Sequence, residues 1–293
     1  MFDKINLQSG NQPRGPLTRS VLIRAWRHSQ IARLATALTV ILLQALFVQD
    51  CAFAESGRIE VDGTELVFHL TNGTVLRGYD LVDRPIEASG RALRIEQMVT
   101  EAQASGGRIF LYHIVAKSEH GRWEETCPTS DGTIVLAMPL KNRRGQSRMV
   151  CADSAEARCV AFGYHPWEAS DTVPMDRIHE ACVRMLRAEY GGDGQPYTTS
   201  GVPVQFYDTF GIRKPPVAKD VVFEAAWDEN GALCIAHVRA RELASLTLLE
   251  QKYDRLKRWR EDTVCAEDVM AKRKTVLLLS RVLAVSDSSG SEQ

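Results

Sequence analysis

Residues 176 to 194 read Asp176-Arg-Ile-His-Glu-Ala-Cys-Val-Arg-Met-Leu-Arg-Ala-Glu-Tyr-Gly-Gly-Asp-Gly194, and their period decides the class of fold. Ile178, Cys182, Met185, Leu186 and Glu189 recur at i, i+4, i+7, i+8 and i+11, so they share one helical stripe while Arg184 and Arg187 point away. Asp176 is placed to cap this helix, which is predicted to run to about Tyr190. Gly191-Gly192-Asp193-Gly194 cannot continue it. Cys182 faces the core, where a disulfide can form.

Upstream the period is 2. Arg58 to Val61 ends at Asp62-Gly63, and Glu65 to Leu70 ends at Asn72-Gly73 before Val75 to Tyr79. Asn-Gly between apolar runs is a hairpin signal, because both central residues of a type I′ turn take positive φ. Further strands are predicted at Ala92 to Met98, Arg108 to Ala116 and Thr133 to Met138. His69 and His113 fall in these strands without an acidic or cysteine partner at ligand spacing, and read as sheet histidines. Asp153 or Ser154 caps a short helix through Cys159. Downstream come a strand at Val202 to Tyr207, a hairpin of Val221 to Trp227 with Ala232 to Val238 around Asp228-Glu-Asn-Gly231, and helix over Arg241 to Arg260. The expectation is an α+β fold: an antiparallel, strand-rich region over 55–150, then a disulfide-stabilised region of helices and hairpins over 151–285. The polar, Gly/Ser-rich tail 286–293 is predicted to be disordered.

The 293 residues are 44% apolar and 25% charged, within the averages for a globular protein. Thirty-six basic residues against 37 acidic ones leave no excess to attract a phosphate backbone, so a nucleic-acid partner is not expected. Residues 1 to 54 hold six basic and two acidic residues, which leaves 30 against 35, a net of −5, for the rest.

That basic segment has the order of an export signal. An arginine-rich stretch precedes Leu34 to Val48, LATALTVILLQALFV, and then Cys51-Ala-Phe-Ala54 supplies an A-x-A site. Cleavage is expected after Ala54, placing the chain in the periplasm or outside the cell. Membrane anchoring through an uncleaved segment is the alternative, against which the run is shorter than the about 20 apolar residues of a spanning helix. A lipoprotein reading of Cys51 is opposed by the polar Gln49-Asp50 ahead of it.

Six cysteines remain: Cys127, Cys151, Cys159, Cys182, Cys234 and Cys265. An even set in an exported chain argues for three disulfides, with the pairing left open. His179-x2-Cys182 and Cys234-x2-His237 have zinc-ligand types. Both lie in regular structure and exported thiols are normally oxidised, so no metal is expected.

Three stretches carry a family resemblance: Cys159-Val-Ala-Phe-Gly-Tyr-His-Pro-Trp167; the run from His179 through Gly194 with Pro196-Tyr-Thr-Thr-Ser-Gly201 and Tyr207-Asp208; and Phe223-Glu-Ala-Ala-Trp227 with Gly231-Ala-Leu-Cys234. In this order they resemble the ADYC domain of exported bacterial proteins, and weaker matches at Asp62-Gly63 and Leu76-Arg-Gly78 extend the likeness towards the N-terminus. The eponymous Ala-Asp-Tyr-Cys motif reads Ala188-Glu189-Tyr190-Gly191 here, so a glycine stands where the family has cysteine. The resemblance implies a member with fewer bridges than its relatives. It implies no activity, because the domain is one of unknown function.

For catalysis, the densest group of able residues is His165, Trp167, His179, Glu180, Asp193, Tyr207 and Asp208. A hydrolase would use His179 with Asp193 or Asp208 as an acid–base pair. Each has a structural role open to it: His165 before Pro166 is extended, Asp193 between glycines suits an Asx turn, and Asp208 ends a strand. No nucleophile elbow, zincin, Walker or dinucleotide motif occurs, so no cofactor is expected. For binding, the loop Gly191 to Gly201 offers Asp193 and the hydroxyls of Tyr197, Thr198 and Thr199 to a cell-envelope glycan or protein. A calcium loop pattern is absent. The expected function is therefore a noncatalytic envelope or extracellular binding or scaffolding domain.

Overall fold

A computed structural model describes residues 55–284, apart from 89, 104–106, 142–144, 171, 216–218 and 258–263. The expected signal segment with its Cys51 and cleavage site, and the tail 286–293, lie outside the described residues. The fold is α+β and mostly sheet.

The first sheet contains β1 (Glu55–Asp62), β2 (Glu65–Leu70), β3 (Val75–Arg77), β4 (Pro85–Ala88), β5 (Arg91–Ala102), β6 (Arg108–Lys117), β7 (Trp123–Glu125), β8 (Ala137–Lys141) and β9 (Ser147–Cys151). Its order is β3-β2-β1-β4-β5-β6-β8-β9, with β7 also on β6. Pairings are antiparallel except β1 with β4. The hairpin expected at Asn72-Gly73 joins β2 to β3, but not through a type I′ turn: of the two residues only Gly73 has positive φ, 87°, and the Asn72 side chain accepts from Thr74 N at 2.9 Å. Strands β1, β4 and β5 separate β2 from β6, yet Leu66 N donates to the Tyr112 hydroxyl at 3.0 Å. The sheet therefore curls back on itself around Phe68, Leu81, Ile86, Ile95 and Tyr112. Burial there pushes the Tyr112 hydroxyl up to about 12.

Helix α1 (Ala155–Ala161) begins at Ser154, whose hydroxyl accepts from Ala157 N at 3.2 Å. Helix α2 (Met175–Leu186) buries Ile178, Ala181, Cys182 and Met185. The second sheet holds β10 (Gln205–Asp208), β11 (Val221–Asp228), β12 (Gly231–Ile235) and β13 (Leu278–Leu283), all antiparallel in the order β10-β13-β11-β12. Between β12 and β13 lie α3 (Leu246–Lys252) and α4 (Glu267–Met270). The apolar stripe of α2 packs on this sheet around Trp227.

Three disulfides join Cys127–Cys151, Cys159–Cys182 and Cys234–Cys265. They tie a loop of the first sheet to β9, α1 to α2, and β12 to the segment before α4. Disulfides suggest an oxidising, exported environment. No described helix is long and apolar enough to cross a membrane.

The structure corrects several element boundaries. The strand expected at Thr133 to Met138 starts only at Ala137, because Asp131 accepts from Thr133 N at 3.0 Å and Thr129 Oγ1 donates to Thr133 O at 2.7 Å, holding that stretch in a turn. Helix α2 ends at Leu186 rather than Tyr190, because Ala188 has φ 47°. The helix expected over Arg241 to Arg260 is only α3 and one turn at 254–257 within the described residues, broken at Tyr253 with φ −124° and ψ 99°. The predicted strand at Val202 to Tyr207 begins at Gln205, and β4, β7, β9 and β13 have no counterpart in the sequence reading.

Candidate functional site

The chain around the altered motif is shaped by how α2 stops. Ala188 turns left-handed, its N–H donates to Met185 O at 3.0 Å, and Glu189 N donates to Arg184 O at 2.8 Å, which satisfies carbonyls the helix end would leave open. Arg239 adds to this: its guanidinium also donates to Met185 O, at 2.8 Å, and reaches the next carbonyl, Leu186 O, at 3.0 Å. The same guanidinium pairs with Glu224 at 2.9 and 3.0 Å, with both side chains essentially inaccessible. Tyr190 donates its hydroxyl to Glu224 at 2.8 Å, accepts from Arg239 N at 2.9 Å, and stacks on Trp227. Burial, with the Glu224 charge, holds the Tyr190 hydroxyl far above its ordinary value. The tyrosine of the motif thus anchors a buried ion pair that ends α2.

The glycines that follow let backbones touch. A Cβ on Gly192, which has φ 74°, would lie 1.8 Å from Asn230 O. Ala232 N donates to Tyr190 O at 2.9 Å, so the loop is laid against the β11–β12 turn.

Beyond that contact the loop carries a ring of polar groups. Tyr253 donates to Asp193 Oδ2 at 2.9 Å, the Tyr197 and Tyr253 hydroxyls are 3.0 Å apart, and Lys252 Nζ donates to Tyr197 at 3.0 Å and lies 3.4 Å from Asp193. Since Tyr253 gives its one proton to Asp193, Tyr197 must donate to Tyr253. Burial opposes the charge on Asp193, but bonds from Gln195 N, Tyr253 and Lys252 hold its carboxyl below the usual range.

Asp193 also borders a cleft of about 530 Å³, walled by Arg148, Glu156, Glu180, Arg184, Arg187 and Glu229 among others. Arg184 stands at its base, bonded to Glu180 at 3.0 Å, to Glu229 O at 2.7 Å and to Glu189. Glu189 accepts from Gly194 N at 2.7 Å, fixing the loop as one wall. Arg148 faces Glu156 at 3.5 Å, and Arg187 donates to Gly194 O at 2.9 Å. Both arginines are about half exposed. Such a lining offers both signs of charge and several donors to a polar ligand.

The structure distributes the residues proposed for catalysis. His179 is buried on α2 and donates Nε2–H to Glu156 O at 3.1 Å; burial pushes its imidazole down to about 4. Asp193 sits at the surface in the ring just described. Asp208 is buried, accepting from the Tyr164 hydroxyl at 3.2 Å and from the N–H groups of Phe210, Ile212 and Arg213. No hydrogen bond or ion pair among the described residues joins His179 to either aspartate. His165 pairs with Glu168 at 2.6 Å and stacks on Trp167, Tyr207 donates to Glu267 at 2.6 Å, and only Glu180 and Asp193 of that set line the cleft. Within the binding loop, Tyr197 is buried, whereas Thr199 is exposed. Cys182 and Cys234, offered as zinc ligands with His179 and His237, are in disulfides, and His237 Nδ1 donates to Phe223 O at 2.7 Å.

Glu224, Arg239, Lys252 and Tyr253, which organise these networks, are not among the residues the sequence singles out as candidates. Glu224 did carry a signal, a carboxylate inside the apolar strand Val221 to Trp227. His113 also has partners the spacing hid: Glu125 lies 2.9 Å from Nε2 and Glu96 3.5 Å from Nδ1, brought in across strands and by the bulge between Ile95 and Gln97.

No curated protein and no solved structure matches the sequence. The model of the ADYC domain matches residues 62–241, spanning β2 to the hairpin and Arg239, with the helix end and ion pair inside it. That is more than half of the chain, and the chain belongs to the ADYC domain family.

Proposed function

We propose that this is an exported, noncatalytic binding or scaffolding domain of the cell envelope, and that the cleft beside Asp193 receives its partner. The observation that carries the reading is the contrast between two sets of residues. His179 and Asp208 are buried and bonded to backbone groups, which suits structural duty, while Arg148, Arg187, Glu180 and Asp193 line an open depression. The mixed charges suit an envelope glycan or a protein segment bearing polar groups of both signs. The three disulfides and the basic-then-apolar N-terminus support export, and cleavage after Ala54 belongs to this proposal.

Co-sedimentation of the purified 55–293 chain with isolated cell-wall glycan tests the reading. Retention of the native protein, at least fivefold reduced in Arg148→Ala/Arg187→Ala, is the expected result. Release of soluble glycan fragments by the native chain that ceases in both His179→Gln and Asp193→Asn would instead establish a hydrolase.

A further inference from the structure

The guanidinium of Arg213 is held in place but has no counterion. Its central carbon lies over the ring of Phe162, at the end of α1, 4.8 Å from the centre, and over that of Phe206 on β10, 4.6 Å from the centre. The two rings meet edge to face, 5.0 Å apart, so together they restrain the planar fork. No carboxylate among the described residues pairs with this guanidinium, and no acceptor there takes its N–H groups. Of its three nitrogens only Nε is sealed from solvent.

The loop that carries the fork has a fixed shape. The buried Asp208 carboxylate accepts from Phe210 N at 2.8 Å, from Ile212 N at 3.1 Å, from Arg213 N and from the Tyr164 hydroxyl. Its bonds thus go to the backbone of residues 210–213, and it makes no ion pair with the Arg213 side chain. Thr209 is tied at N to Leu277 O and at Oγ1 to Val276 O, at 3.2 and 2.8 Å. A scaffolded loop of this kind presents its side chains in a set position. Those side chains are cationic: residues 209–219 contain Arg213, Lys214 and Lys219 and no acid, within a 55–293 chain of net −5. Lys214, beside the fork in sequence, is exposed.

We infer that Arg213 and Lys214 form a site for a phosphate monoester. A guanidinium meets phosphate oxygens with N–H donors held in one plane, and here that plane is set before the ligand arrives. A monoester carries about two negative charges near neutral pH, which calls for the second cation that Lys214 adds. A carboxylate has one charge and fits the fork alone. The inference goes beyond the proposed role of the cleft, which neither residue lines. An envelope glycan and a phospholipid headgroup can both supply the ester, and inorganic phosphate is the probe for their shared chemistry.

The test is a titration of native 55–293, Arg213→Lys and Lys214→Ala with sodium phosphate at about pH 7.5, where the probe is mostly dianionic. Sodium chloride and sodium acetate at equal ionic strength are the references. The backbone amide signals of residues 211–214, followed by NMR, separate this site from any anion held elsewhere. Saturable shifts in phosphate are expected, with a Kd at least tenfold higher in Arg213→Lys, which keeps the charge and loses the fork, and about threefold higher in Lys214→Ala. Equal Kd in native and Arg213→Lys, acetate bound as tightly as phosphate, or shifts no larger than those from sodium chloride overturns the inference. Should Arg213→Lys not fold, Arg213→Gln carries the same titration. Glucose 6-phosphate in solution and vesicles containing phosphatidic acid then separate the sources. Saturation by the sugar phosphate alone supports a glycan-borne ester, co-sedimentation with the vesicles supports a headgroup, and a response to neither overturns the assignment.

Discussion

A methyl group on Gly191 would fall 2.2 Å from ring carbons of Tyr253, well inside contact distance. At the position where the family motif has cysteine, this chain has removed the side chain and laid a tyrosine over the bare backbone. Gly191→Ala is therefore expected to destabilise by about 1–3 kcal/mol through overpacking. In Gly191→Ala/Tyr253→Ala the loss should be smaller than the sum of the single losses, because the clash disappears. Urea denaturation of the four proteins measures the coupling, and additive losses would show that the ring simply moves aside.

Acid should loosen the protein through His179. Its folded-state value is pushed from 6.5 down to about 4, so the folded protein resists taking the proton that the unfolded chain accepts. Its contribution is complete above about pH 6.5 and is lost as pH falls from there towards 4, a span worth about 3 kcal/mol. Melting temperature followed from pH 7 to 4 should fall, and His179→Gln should flatten that part of the curve.

The Glu224 and Arg239 pair predicts a larger effect. Glu224→Gln keeps the shape but strands a guanidinium whose side chain is 1% exposed, and is expected to cost about 3–5 kcal/mol. Tyr190→Phe removes one hydroxyl from the same network and should cost about 1–3 kcal/mol. Chemical denaturation checks both, and a smaller loss for Glu224→Gln than for Tyr190→Phe would contradict the assignment of charge.

With all six cysteines bridged, thiol titration of unfolded, unreduced 55–293 should find no free thiol. Cys159→Ser/Cys182→Ser opens a link of sequence separation 23 between α1 and α2 and is expected to lower stability by about 3 kcal/mol, read from the denaturation midpoint.

What could be read in the sequence was local. The Asn72-Gly73 turn, the stripe from Ile178 to Leu186 and the hairpin about Gly231 follow from neighbours a few residues apart. The end of α2 was not readable in that way, because the left-handed turn at Ala188 is backed by Arg239, some 54 residues beyond Met185. Strand β13 is an apolar run whose place between β10 and β11 depends on pairing partners far upstream. The same distance hid the candidate sites. Asp193 and Tyr197 were visible as a polar loop, but the groups that organise them, Lys252 and Tyr253, come from the far side of a hairpin. Residue type alone also proposed His179 with two aspartates, and burial, which decides their use, follows from tertiary packing.

The disulfides link each cysteine to the next one along the chain, first to second, third to fourth and fifth to sixth among the six. For a polypeptide delivered from its N-terminal end, this order makes the correct partner the nearest thiol at each moment of arrival. Oxidation in step with delivery would thus produce the native pairing directly, with no crossed bond to be undone and no need for a shuffling catalyst.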